Sequence, residues 1–303
     1  MTDATAADIS VTAAGASRGL WGEAARRFLQ HRLATLGLIM LAIIVLACVL
    51  APLIAHYGPN DIDLRGRNQP PGGMHWLGTD GTGRDIFARI LYGGRISLTV
   101  GFVAVAISAA IGIFIGCVAG YFGGKVDLLL MGLIDMVLTF PRLVIIIAFV
   151  AVVGPSIFNT MVVIGLLSWP SIARLTRGEI LALRNQEFIL AARSLGTSPS
   201  VIILEHILPN VLSPILVAIT LDVATVILLE ASLSFLGLGA QAPAASWGNM
   251  LRDARTLSIL ESQPWMWIPP GAMIAMAVLS INFVGDGLRD VLDPQHIMGG
   301  GGK

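Results

Sequence analysis

Asn185 to Asn210, NQEFILAARSLGTSPSVIILEHILPN, separates two long apolar runs and carries its own punctuation. Ala191, Ala192 and Leu195 favour a first short helix. Gly196 is suited to close that helix in a left-handed conformation, and Ser198 before Pro199 makes an N-cap and first position for a second. Pro209 is expected to end the second helix just before the next apolar run. The stretch reads as a helical hairpin at a membrane surface. It is either a docking element for another protein or a solvated connection, and the local pattern accommodates both.

The flanking runs belong to a membrane protein. Of 303 residues, 55% are hydrophobic and 13% charged, with a mean hydropathy of +0.80; soluble domains carry about 25% charged residues. Net charge is zero, which gives no electrostatic reason to expect a nucleic-acid partner. The two cysteines, Cys48 and Cys117, fall inside apolar runs as small packing residues and make neither a disulfide framework nor a metal site. Residues 1–17 are small and polar, so no cleavable signal peptide is visible and disorder is expected there. The closing GGGGK resembles a linker.

A span needs about 20 predominantly apolar residues to cross about 30 Å of hydrocarbon. Six segments qualify, at about 33–55, 96–120, 128–152, 158–176, 211–239 and 266–286, so the expected fold is an all-α integral membrane protein with six transmembrane helices. Six is even, which places both termini on one side. Arg18, Arg26, Arg27, Arg32, Lys125, Arg174, Arg177, Arg184, Arg193, Arg289 and Lys303 share the hairpin's side, whereas Arg65, Arg67, Arg84, Arg89, Arg95, Arg252 and Arg255 lie opposite. The excess puts the termini and hairpin in the cytoplasm. Trp76, Trp247, Trp265 and Trp267 fall at the outer boundary, where indole rings prefer to sit. The organisation expected is a tail and interfacial helix (1–32), a first span (33–55), an extracytoplasmic loop (56–95), a five-helix core (96–290) holding a cytoplasmic loop (178–209), and a tail (291–303). Residues 18–32 pattern as an amphipathic helix lying on the membrane, or as an extension of the first span.

Ala104, Ser108, Gly112, Gly116 and Gly120 place a small residue every four positions along the second span, a ridge for close helix approach. In the outer loop, Gly78, Gly81 and Gly83 lack the preceding strand and following Lys-Ser/Thr of a phosphate loop, and Asp80 and Asp85 lack the further ligands of a calcium site. A turn and a short helix from about Asp85 to Leu91 are expected there, with Asp85 and Arg89 one turn apart.

Ionisable groups within spans are costly, at about 2.5 to 3.5 kcal/mol each, so each needs a reason. Asp135 and Arg142 lie seven apart on the third span, on one face and able to neutralise each other, with Pro141 expected to kink the helix. Asp222 and Glu230 lie on the fifth span, about 80° apart around its axis and about 12 Å along it, with no obvious basic partner. These four either line a water-filled path or hold neighbouring helices and subunits together, and Asp222 and Glu230 are the better path candidates.

Two groups of motifs carry a family resemblance. AARSLG followed by HILPN is similar to the "EAA" loop of ABC importer permeases, with Leu190 standing where many members have glutamate and Glu187 the nearest acid. LGTDGTGRDIFARILYGGRISL resembles the signature of the peptide and nickel subgroup, the "C"-type subunit, and GYFGGKVD, LIDMVLTFPRL, ILLEASLSFLGLG, SWGNML and VGDGLRDVLDP continue it in order over about residues 25–295. The resemblance implies a type I (MetI-like) importer permease in a bacterial inner membrane. It further implies di- or oligopeptide transport, with nickel or another small solute as the alternative, and as partners a second permease, two ATPase subunits and an extracytoplasmic binding protein. On that reading the coupling role rests on Glu187, Ala191, Ala192, Arg193, Gly196 and Pro209, and the chain itself needs no cofactor because partners bind the ATP.

The residues argue against enzymatic activity on their own. His31, His56, His75, His206 and His296 all fall outside span centres, so no intramembrane Ser/His dyad or histidine metal cluster is possible there. GGK at 123–125 is followed by Val126, and Ala119 occupies the position of the first Walker A glycine. An ion-coupled carrier using Asp135, Asp222 and Glu230 is the reading from another class, but six spans without a convincing internal repeat are few for one. A non-transporting scaffold accounts for the hairpin and not for the intramembrane acids.

Overall fold

A computed structural model describes residues 26–292, whose regular structure is helical and whose long irregular stretches lie at 55–85 and 236–246. The expectations for the first 25 residues and for 293–303 lie outside the described residues. Residues 26–30 are helical and break from the first span at His31, which is extended and whose Nδ1 accepts from the Ala34 amide at 3.1 Å. Over this stretch the helix is therefore a separate element from the first span. The long elements are α1 (Arg32–Val49), α2 (Ile86–Phe122), the consecutive α3 (Gly124–Thr139) and α4 (Arg142–Val153), and α5 (Ile157–Leu183). The hairpin helix α6 (Glu187–Ser194), α7 (Leu208–Phe235), the short α8 (Trp247–Asp253) and α9 (Ile268–Leu292) follow.

Several features depart from the sequence expectations. The turn and short helix at 85–91 are instead the first turns of α2, a single 37-residue helix beginning at Ile86. Its buried Gly93 and Gly94 do not break it: a Cβ on Gly94 would lie 2.7 Å from Trp247 Cζ2, so the glycine admits the indole. Asp85 caps the helix from outside, and Arg89 turns away from it toward Asp80 and Asp253, 3.7 Å from each. The third span is not one kinked helix but two, α3 and α4, bent by 83° at Phe140–Pro141. Proline supplies no N–H and clashes with the preceding turn, and here it stands at the N-cap of α4. Among the described residues five helices are long and apolar enough to cross a membrane, or six when the bent pair counts as one span.

Pro209 likewise does not end a helix. The run continues from Pro199 to Phe235 through a wide turn at Ile202–Ile207, where the Leu208 amide donates five residues back to the Ile203 carbonyl. The widened turn makes room for the pyrrolidine ring, and Asn210 Nδ2 donates to the His206 carbonyl at 2.6 Å.

The small-residue ridge performs as its spacing predicts. A Cβ on Gly112 would meet Ile172 Cβ at 2.8 Å, one on Gly116 the Ala173 carbonyl at 2.6 Å, and one on Gly120 Ile180 Cβ at 2.9 Å. The ridge seats α5 alongside α2, running parallel to it, while α1 packs on α9 with Gly37 against Phe283.

Two faces result. The loop face carries residues 55–85 and 236–263, braced by Asp80, which pairs with Arg84 at 2.6 Å, and by Arg84 and Arg89 reaching Asp253. Burial alone would raise the Asp80 carboxyl, but hydrogen bonds from Thr82 and Arg84 and the Arg84 charge hold it below its usual range. Trp247 differs from the interfacial expectation: it is fully buried and donates from Nε1 to the Ile90 carbonyl at 3.0 Å. The hairpin face carries α6, with Arg177 bound bidentately to Asp127 at 2.5 and 2.6 Å and Arg184 donating to the Gly120 carbonyl.

Candidate functional site

The hairpin is built as its residues dictate. Gly196 has φ +79°, the Thr197 amide donates back to the Ala192 carbonyl at 3.2 Å, and Ser198 precedes Pro199 at the next N-cap. One side of α6 is anchored: Ile189 is fully buried among Ile180, Ile202 and Ile207, Ala192 is half-buried, and the Arg193 guanidinium lies 5.2 Å over the Tyr121 ring. Glu187, Ala191, Gly196 and Pro209 are exposed. So are Phe188, which the motif reading passed over, and Leu195, which it took only as a helix former and which is 85% exposed. Phe188, Ala191 and Leu195 stand at i, i+3 and i+7, one continuous apolar face pointing away from the molecule. That spacing was visible in the sequence; which face would be buried was not.

The four intramembrane ionisable residues fall into three environments. Asp135 does not pair with Arg142. It takes Arg174 of α5 at 2.5 Å, and both side chains are more than half exposed. The 83° bend separates residues that a straight helix would align and turns Arg142 toward α5 and α7. There Arg142 donates to the Ser168 hydroxyl and stands 4.0 Å from Asp222, which thus has the basic partner its own helix could not supply. Arg142 Nε and Asp222 Oδ2 are buried without a hydrogen-bond partner among the described residues. Both side chains nevertheless remain partly accessible, and Arg142 lines a small cavity of about 40 Å³ together with Phe140 and Ser168.

Glu230 is different in kind. It is 2% exposed and accepts from Ser97 of α2 at 3.0 Å and from Ser234 at 2.6 Å. Ser97 Oγ also accepts from the Trp247 amide, and Ser234 Oγ from the Ala240 amide. Glu230 is the centre of a knot that ties α2, α7 and the loop before α8 together. Sequence reasoning missed Ser97, Ser168 and Arg174, which carry no signal apart from their cross-helix partners. No group of three metal-ligating side chains occurs among the described residues.

Residues 112–296 match the family described as binding-protein-dependent transport system inner membrane component. The chain belongs to this family of ABC importer permeases. Residues 19–71 of the permease match a second family, the N-terminal TM domain of oligopeptide transport permease C. A Brucella suis protein, itself only provisionally named a peptide permease, is 47% identical over 280 residues, covering 92% of this chain and 93% of its own. The dipeptide transport system permease protein DppC of Alkalihalophilus pseudofirmus is 44% identical, covering 91% and 90%. OppC of Bacillus subtilis, an oligopeptide transport system permease protein, is 39% identical, covering 92% and 91%. An inward-facing structure of the MetNI methionine ABC transporter shares the fold, with a TM-score of 0.57 at 17% identity over 68% of this chain and 96% of that one. The permease is thus an inner-membrane transport subunit with the type I importer architecture.

Proposed function

We propose that this permease forms half of the translocation pathway of an ATP-driven importer of dipeptides or oligopeptides. The observation that carries the substrate class is the near full-length identity to dipeptide and oligopeptide permeases. A second, similar permease supplies the other half, an extracytoplasmic binding protein delivers substrate to the loop face, and two partner ATPase subunits bind the ATP. The hairpin face and both termini lie in the cytoplasm, as the distribution of basic residues supports.

Coupling runs through α6. Its apolar face of Phe188, Ala191 and Leu195 seats in the ATPase, while Ile189 keys the helix into α5 and α7, so displacement of α6 is passed to two spans at once. Glu187 and Arg193 supply polar contacts at its ends, Gly196 sets the bend, and Pro209 lies at the root of α7. Arg142 and Asp222 stand at the pathway wall: a partly accessible pair with unsatisfied polar atoms suits a water-filled route. Asp135 and Arg174, an exposed ion pair on α3 and α5, suit the same route or the seam with the second permease.

The experiment is purification of the chain from native membrane with mass spectrometry of what accompanies it, paired with peptide uptake. Recovery of a second permease and P-loop ATPases, with Gly196→Trp abolishing uptake while membrane levels hold, is the expected result. Isolation of the chain alone, or uptake untouched by Gly196→Trp, would overturn the coupling role.

A further inference from the structure

Two hollows of opposite character meet where α2 begins. The first, about 190 Å³, is walled by His56, Tyr57, Trp76 and Phe87, with Asp85 in its lining. Its rings pack on one another, His56 to Trp76 at 5.6 Å between centroids and Trp76 to Phe87 at 5.1 Å, and Tyr57 packs against His75 at 4.6 Å. Asp85 accepts from the Ala88 amide at 2.7 Å and lies 2.8 Å from His75 Nδ1. Aromatic walls attract an ammonium group, and although the Asp85 carboxylate is nearly buried and engaged by His75 and the Ala88 amide, no lysine or arginine among the described residues lines the hollow to hold an anion. The second hollow, about 370 Å³, is a purely apolar groove in the seam between α1, α2 and α9, lined among others by Met40, Ile43, Phe87, Met273 and Met276. Phe87 belongs to both.

A cation-selective mouth opening onto an apolar groove along a membrane-spanning seam has the polarity profile of a single kind of ligand. We infer that this seam binds a phospholipid with an ammonium headgroup, the ammonium resting against Trp76, Phe87 and Asp85 and one acyl chain lying between α1 and α9. Charge complementarity selects this occupant over an anionic lipid, because the mouth presents ring faces with the His75-paired Asp85 at its edge and no lysine or arginine. Flexible methionines let the groove accept chains of differing unsaturation.

The test is native mass spectrometry of the detergent-purified full chain with phosphatidylethanolamine or phosphatidylglycerol of identical acyl chains. Retention of the ethanolamine lipid over the glycerol lipid by about five-fold is expected, the size of one cation–π contact at a solvent-exposed ring. Trp76→Ala, at an exposed loop position, is expected to bring the ratio close to one, and Trp76→Phe to preserve it. Ala272→Trp, an exposed position in the groove wall, is expected to expel both lipids. Equal retention of the two lipids by the unaltered chain, or a preference that survives Trp76→Ala, overturns the proposal. Free ethanolamine displacing the lipid at equal concentration overturns it too, since the ammonium alone would then be the ligand.

Discussion

Arg142 and Asp222 test what a charged pair within a membrane is for. Removing one partner of a buried pair strands the other, at about 3–5 kcal/mol where burial is complete and less here, whereas replacing both with apolar side chains is often neutral. Asp222→Leu and Arg142→Met are each expected to lower the thermal stability of the purified chain, and the double variant to recover most of the loss while uptake stays low. Additive losses would show that the two residues do not act as a pair. Asp80 is a different case, a structural acid on the loop face with 7% of its side chain exposed. Asp80→Asn is expected to cost about 2–3 kcal/mol, because Arg84 and Arg89 keep their charges with only Asp253 left to balance them. The Asp80 carboxyl titrates below its ordinary value of 3.8, so its contribution is present above that value and disappears as pH falls through the lowered one. The difference in melting temperature between the native chain and Asp80→Asn is therefore expected to stay constant from neutral to mildly acidic pH and to shrink only in strong acid. Of the intramembrane acids, their presence and cost were legible in the sequence but their partners were not. Asp135 finds Arg174, and Asp222 finds Arg142, across helices whose relative angles no single segment encodes.

Elements were most legible where the signal is local. Gly196, Ser198 and Pro199 act within a few residues of one another, and the structure has Gly196 left-handed and Ser198 and Pro199 at the N-cap and first position, although the Ser198 hydroxyl makes no capping hydrogen bond. The ridge from Ala104 to Gly120 was equally legible, since a repeat of four residues specifies a helix face without reference to the partner. Prolines were the least legible, because each offers several outcomes. Pro141 starts a new helix after a sharp bend, whereas Pro209 is absorbed by a widened turn, and the surrounding packing decides between them. The ridge yields a prediction at this scale. Gly112→Leu is expected to destabilise by 3 kcal/mol or more, about the upper end for overpacking, because the new side chain meets Ile172 and the Trp169 carbonyl. Gly132→Leu on α3, where a Cβ meets nothing within 4 Å, is expected to leave the melting temperature of the isolated chain unchanged.

For the whole molecule the first question is which face looks inward. Both native cysteines are buried, so single introduced cysteines report cleanly. Leu64→Cys on the loop face is expected to react with an impermeant maleimide in intact spheroplasts, and Leu195→Cys on the hairpin face only after permeabilisation. The reverse pattern would invert the assigned topology. The number of spans and the membrane class were legible from composition and run length. The division of labour between the faces was not, because it depends on contacts between segments far apart in the chain, such as Arg89 with Asp253.

That division has a mechanical consequence. The loop face is cross-braced by Asp80, Arg84, Arg89 and Asp253 and by the knot around Glu230, and α5 is tied to it where Thr160 donates to the Leu238 carbonyl at 3.0 Å, whereas Ile189 seats α6 at the far end of α5. At 1.5 Å per residue, the 27 residues of α5 make a rod about 40 Å long. Pivoted at its braced end, such a rod moves its other tip by about 0.7 Å for each degree of rotation. The permease is in this sense geared: a displacement of α6 by one side-chain width tilts the rod by only a few degrees, and the travel at the braced fulcrum stays close to zero.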